Sequence, residues 1–186
     1  MTNDFDQELE EFSKYGRTYF HTNFWEISKQ HQKLHIEFLA RSKQLFTPDI
    51  EFQEDEFYDL RTKANRSGVI AIVFAVMYIE GAIYNCGAVY LGDSFIRKNL
   101  DKLSLQAKIS TIMKVVTGKD MNTDGQAFEY LNKLVKFRNF LIHPKSQPLG
   151  SAEEILVFQK KYSSLYKEAI RSAELAIKYL DQETGL

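Results

Sequence analysis

Apolar residues recur at helical spacing along nearly the whole chain. From Phe5 to Leu45 the positions Phe5, Leu9, Phe12, Gly16, Phe20, Phe24, Ile27, His31, Leu34, Phe38 and Leu45 fall mostly three or four apart. Such a stripe sets one helix face on a core. Gly16 offers a division into a short helix and a long one. Pro48 ends the run, because the residue before a proline avoids the α region. Residues 49–59, DIEFQEDEFYD, are acidic and mixed, and read as a connector with about one turn of helix. They divide the chain into an N-terminal helical arm, residues 1–60, and a bundle, residues 61–186.

The most apolar segment runs from Gly68 to Gly92. About 20 apolar residues suffice to cross a bilayer, so a membrane span is one reading. Glu80 sits near its middle, where a carboxylate costs about 2.5–3.5 kcal/mol in lipid, and Asn85 is a second polar insertion. The rest of the chain has amphipathic patterning with no second span. A helix apolar nearly all round also suits the centre of a soluble bundle, and that reading is preferred, with no membrane partner.

Beyond it, Leu100, Leu103, Leu105, Ile109, Ile112, Met113 and Val116 make a stripe within Ser94–Thr117. Residues 117–125 form a loop. Residues 126–142 carry an apolar face of Phe128, Leu131, Leu134, Val135, Phe137, Leu141 and Ile142, before Pro144, Pro148 and Gly150 break the chain. Ser151 with Glu154 has capping-box spacing and opens a last helix to about Asp181, with Ile155, Phe158, Tyr162, Leu165, Ile170 and Leu175 facing inward. No segment alternates convincingly as a strand. The expected fold is all-α, a helical bundle of about five helices.

Composition narrows the function classes. The 186 residues make one domain's worth of chain, and 24 basic against 25 acidic residues leave a net charge of −1. A general electrostatic grip on nucleic acid is excluded, so any such contact needs a local basic patch. The lone Cys86 has no internal disulfide partner and fits a reducing compartment. The acidic start MTNDFDQELEEF lacks the basic-then-apolar pattern of a secretory signal. A cytoplasmic location is expected.

The densest chemistry lies in KLVKFRNFLIHPK, residues 133–145. At about 100° per residue, Asn139 and His143 stand about 40° apart on one helix face, and Arg138 stands about 140° from His143. The length of Arg and the failing helix before Pro144 let the two converge on one cleft. There His143 suits proton transfer near neutral pH, and Arg138 suits a phosphate clamp. The competing reading is an ordinary polar helix end, with Arg138 and Asn139 on free carbonyls. Lys133, Lys136 and Lys145 can track a phosphate backbone, or form a solvated face.

RNFLIH resembles the signature of the HEPN superfamily (higher eukaryotes and prokaryotes nucleotide-binding domains). That signature is Arg, usually a polar residue, then His after a gap of four to six; four residues separate Arg138 from His143. FAVMYIEGAIYN also resembles the family's earlier core helix with its buried acidic residue, a place Glu80 takes. The resemblance covers about residues 64–181. It implies a metal-independent endoribonuclease without a cofactor. His143 is then the acid/base, Arg138 the clamp on transition-state charge, Asn139 a positioning donor, and Glu80 the residue that orients Arg138 or His143. It further implies a homodimer with both motifs facing one cleft, RNA or a nucleotide as ligand, and a toxin or phage-defence role with a possible antitoxin partner. Lys145 stands where some toxins of the family carry a modifiable Tyr. Other members are non-catalytic nucleotide, RNA or protein binders, and that is the alternative function.

Weaker signals add little. His31 and His35 have metal-ligand spacing, but Gln32 stands where a zinc-protease helix has Glu, no third ligand is evident, and no metal site is expected. His21 reads as a surface or interface residue. Cys86 reads as a packing residue. The acidic run 51–59 lacks calcium-loop spacing. Neither GxGxxG nor GxxxxGK[ST] occurs. The 24 Phe and Tyr residues fall on helical stripes and read as core before they read as a base-stacking platform.

Overall fold

A computed structural model describes residues 20–45, 53–142 and 151–184. The expected stripe from Phe5 to Gly16, Pro48, His143, Pro144 and Lys145 lie outside the described residues. Within them the protein is all-α. Five helices of thirteen residues or more carry the fold: α1 Phe20–Gln44, α2 Glu54–Leu91, α3 Leu105–Thr117, α4 Gln126–Ile142 and α5 Ala152–Thr184. A short turn, Asp93–Phe95, runs directly into one π-helical turn, Ile96–Leu100, between α2 and α3.

The 38-residue α2 is the axle of the bundle. It starts earlier than the apolar pattern suggests, inside the acidic stretch read as a connector. Glu54, Asp55 and Glu56 occupy its first turn, where carboxylates offset the positive end of the helix dipole. Its apolar half is enclosed from several sides: Ala71, Ile72, Ala75, Val76, Ile79, Ile83, Cys86 and Ala88 are all buried. By length and composition α2 is the one helix among the described residues apolar enough to cross a membrane. Gly92, at φ 82°, ends it and donates its N–H to Ala88 O at 3.0 Å.

The stripe expected over Ser94–Thr117 is broken at Asp101–Ser104. The Ser104 side chain caps α3 by accepting from Ala107 N at 3.2 Å. Gly118 closes α3 in the left-handed region, φ 72°. Helix α5 opens as its capping-box spacing suggests, with Glu154 N–H donating to Ser151 Oγ at 3.2 Å.

The inward face of α5 is Tyr166, Ala169, Ser172, Ala173, Ala176 and Ile177, with Ile170 and Leu175 only half-buried beside it. Small residues take that face because α5 approaches α2 closely. A Cβ built on Gly68 of α2 would lie 2.7 Å from Tyr166 Cε1. The side chains of Ile155, Phe158, Tyr162 and Leu165 lie outside the described set.

Helix α1 runs antiparallel to α2, and its seam is not the apolar stripe. Phe24, Ile27, His31, Leu34 and Phe38 are half-buried flanks. The buried seam residues are Ser28, Gln32, His35 and Ser42. Ser28 Oγ donates to Ala71 O at 2.8 Å, and His35 Nδ1 meets Ala64 O at 2.8 Å. Opposite them α2 presents Ala64, Ser67, Gly68, Ala71 and Ala75. Small and polar residues here permit close backbone approach while satisfying their own hydrogen bonds. Phe24 on Phe74, at 5.6 Å between ring centroids, and Trp25 on Tyr78, at 5.7 Å, close the flanks.

Candidate active site

Glu80 and Arg138 meet across α2 and α4. Arg138 NH2 donates to Glu80 Oε1 at 3.1 Å, over a separation of 58 residues. Each is held by its neighbours in sequence. Glu80 follows buried Ile79 by one position, which sets it at the edge of the enclosed face of α2. Arg138 lies between Leu134 and Leu141, both buried, so α4 is clamped by its apolar side while Arg138 reaches across its margin. The Arg138 side chain is 26% exposed and that of Glu80 43%. Arg138 Nε is enclosed and has no acceptor among the described residues. An enclosed donor without a partner costs about 1–3 kcal/mol, which an incoming anionic oxygen can offset.

Beside Glu80 opens a cleft of about 340 Å³. Met77, Glu80, Gly81 and Tyr84 of α2 form one wall, Phe24 of α1 another. Ile96 and Leu100 of the π-helical turn, with Lys108 and Ile112 of α3, complete it. The wide turn places both Ile96 and Leu100 toward α2, and both are buried. At the outer end Tyr84 Oη donates to Asp93 Oδ1 at 2.9 Å, and Arg97 Nε donates to Tyr84 Oη at 3.3 Å. Lys108 Nζ lies 3.9 Å from Asp101 Oδ1. Among the described residues one carboxylate, Glu80, one phenol, Tyr84, and one cation, Lys108, thus line an otherwise apolar pocket.

Of the residues singled out in sequence, Glu80 and Arg138 come together and Asn139 is exposed one position further along α4. Lys136 is exposed. Lys133 is tied to its own helix: its ammonium bonds Glu129 Oε1 at 2.5 Å and lies 5.4 Å from the Tyr130 ring centroid. The Glu129 hydrogen bond holds the Lys133 ammonium above its ordinary value. Tyr84, Arg97 and Lys108 were not singled out in sequence. Tyr84 follows Glu80 by four, so helical spacing alone could have placed it on the same face. Arg97 comes from the π-helical turn and Lys108 from the first turn of α3, after a helix break whose direction no periodicity encodes.

Two other candidates resolve structurally. Burial pushes the Cys86 thiol up, which keeps it protonated as a packing group. In the His31/His35 pair Nδ1 of His35 is taken by Ala64 O, which leaves its Nε2, and no group of three or more His, Cys, Asp or Glu side chains gathers among the described residues. No family model matches the chain, and no curated protein or solved structure matches it significantly.

Proposed function

We propose that the protein is an endoribonuclease of the HEPN type that works without a metal, with a non-catalytic RNA- or nucleotide-binding module as the competing reading. The observation that carries it is the Glu80–Arg138 pair, with a further guanidinium donor unfilled. Glu80 restricts the rotamers of Arg138 and leaves the other face of its fork for phosphate oxygens.

In this reading His143 takes the proton of a ribose 2′-hydroxyl. The 2′-oxygen then bonds to phosphorus and the bond to the 5′-oxygen breaks. The departing oxygen receives a proton, leaving a 2′,3′-cyclic phosphate and a 5′-hydroxyl end. Arg138 stabilises the extra charge on the equatorial oxygens as they develop, the contribution expected of a pre-set donor. Asn139, exposed beside it, positions the phosphate. Lys136 and Lys145 extend the contact along the backbone. A two-fold homodimer would bring two such motifs to one RNA, in the cytoplasm, with an antitoxin as a natural partner for a toxin of this kind.

The deciding experiment is cleavage of total cellular RNA by purified protein in EDTA, with wild type, His143→Ala and Arg138→Ala side by side. Cleavage by wild type alone, with cyclic-phosphate ends, is expected. Retained RNA binding with no cleavage by any of the three would hand the function to the binding-module reading.

A further inference from the structure

A second concavity lies at the other end of α2. The C-terminal half of α1, the early turns of α2 and the middle of α5 enclose a groove of about 660 Å³. That volume falls in the range of small-molecule sites, about 300–1,000 Å³. Its apolar lining is Ile36, Leu39, Ala40 and Ile170. Ile36 is 63% exposed and lies beside Leu39 and Ile170, so the aliphatic wall is open to a ligand.

The polar lining is of one sign. Lys43 comes from α1, Arg61 from α2 and Lys167 from α5, and among the described residues no Asp or Glu lines the groove. None of the three cations has a hydrogen bond or ion pair among the described residues. Elsewhere Lys29, Lys63, Lys114 and Lys133 each sit within 2.8 Å of a carboxylate. Three helices therefore converge unpaired cations on an apolar slot, although the chain as a whole carries a charge of −1.

We propose that this groove binds a small amphiphilic carboxylate, an anionic head on an aliphatic chain such as a medium- or long-chain fatty acid. The chain lies along Ile36, Leu39, Ala40 and Ile170, and the carboxylate meets Lys43, Arg61 and Lys167. An apolar body accounts for the aliphatic lining and a carboxylate for the cations; a nucleotide, with its polar base edges and polyanionic tail, leaves the aliphatic wall unused.

His35 adds a pH dependence. It lines the groove, its Nδ1 is taken by Ala64 O, and so its Nε2 is the nitrogen left for a ligand. Among the described residues the charged group acting on it is Arg61 of α2; Lys43 of α1 and Lys167 of α5 line the same groove, and the Tyr166 ring of α5 lies 5.0 Å from its ring. Burial, and the nearby Arg61 charge, push its pKa below the ordinary value. A bound carboxylate opposes both effects, so binding takes up a proton and tightens as pH falls toward 6.

Arg61 and Glu80 are nineteen residues apart on α2, about 28 Å at 1.5 Å per residue. The groove is thus separate from the Arg138 site and its occupancy is independent of whether the chain cleaves RNA.

The test is titration calorimetry of the full chain with dodecanoate below its micellar range, beside butanoate and dodecyltrimethylammonium. One-to-one binding of dodecanoate is expected, with butanoate about 100-fold weaker and the cationic amphiphile not competing. Lys43→Gln with Lys167→Gln should weaken dodecanoate by about 100-fold, about tenfold for each of the two lost charged contacts. Ala40→Trp, at an exposed helix position, should block the slot while leaving the helical circular dichroism unchanged. His35→Asn should flatten the rise in affinity between pH 8 and pH 6. Equal binding of the anionic and cationic amphiphiles, or unchanged dodecanoate affinity in both the double Gln and the Ala40→Trp variants, would overturn the proposal. So would the absence of binding below the micellar range.

Discussion

The two concavities along α2 differ in how their charges are settled. At Glu80 the ionisable groups are cross-linked in pairs: Glu80 with Arg138, Tyr84 with Asp93 and Arg97, Lys108 near Asp101. At Arg61 three cations face an aliphatic wall with no acid among the described lining residues. A paired site is pre-organised: its groups already hold one geometry, and a ligand competes for them or uses their spare donors. An unpaired site holds positive potential in reserve, and it is released only when an anion arrives. One helix thus carries a rigid polar cluster near its middle and an open electrostatic sink near its start.

Both regions depend on the same core, so the largest effect should strike them together. Leu131→Ala removes a fully enclosed side chain of α4 and should cost about 2–5 kcal/mol in urea unfolding, disturbing both sites. Gly68→Ala separates them. Its new methyl collides with the Tyr166 ring, which also lies 5.0 Å from the His35 ring, so the groove should be disturbed more than the Arg138 pair. A loss of about 1–3 kcal/mol in chemical unfolding is expected, an overpacking cost.

Titration sharpens the contrast. The folded-state pKa of His35 is depressed, so the unfolded chain binds the proton more tightly. Stability is full above the ordinary histidine value, about 6.5, and falls as pH drops through that value toward the folded one. Thermal unfolding from pH 8 to pH 5.5 should show this loss, and His35→Asn should remove it. Saturating dodecanoate should offset it in the wild type. The smallest stability effect belongs to the paired site. Arg138→Ala should change stability by about 1 kcal/mol or less, because Glu80 is left partly solvated, and on the proposed function it should abolish RNA cleavage. A variant that unfolds instead would mean the pair is structural.

The helices of the apolar half were legible from spacing. Residues 126–142 occur as read, and the Ser151 start of α5 is made by the hydrogen bond its spacing implies. The spacing reads α1 as a helix, but its buried seam lies beside the apolar stripe, whose residues are half-buried, rather than along it. Apolar periodicity locates a seam only when the seam is apolar, and here Ser28 and His35 satisfy themselves on backbone carbonyls of α2. The early start of α2 was hidden because acidic residues mark a loop and a helix N-terminus alike. In the candidate site, Glu80 and Arg138 were marked individually. Tyr84, Arg97 and Lys108 were not, since their convergence depends on a π-helical turn.

What the sequence determined by itself is the helical class, the apolar character of the Gly68–Ala88 stretch and the marking of Glu80 and Arg138 as groups able to do chemistry. Those follow from local spacing and side-chain type, which are properties of near neighbours in the chain. Tertiary structure alone decided which charges are paired. Glu80 and Arg138 lie 58 positions apart, and Lys43, Arg61 and Lys167 come from three helices. A net charge near zero gives no hint of either arrangement, because it sums over positions, and electrostatic energy depends on the distances between them.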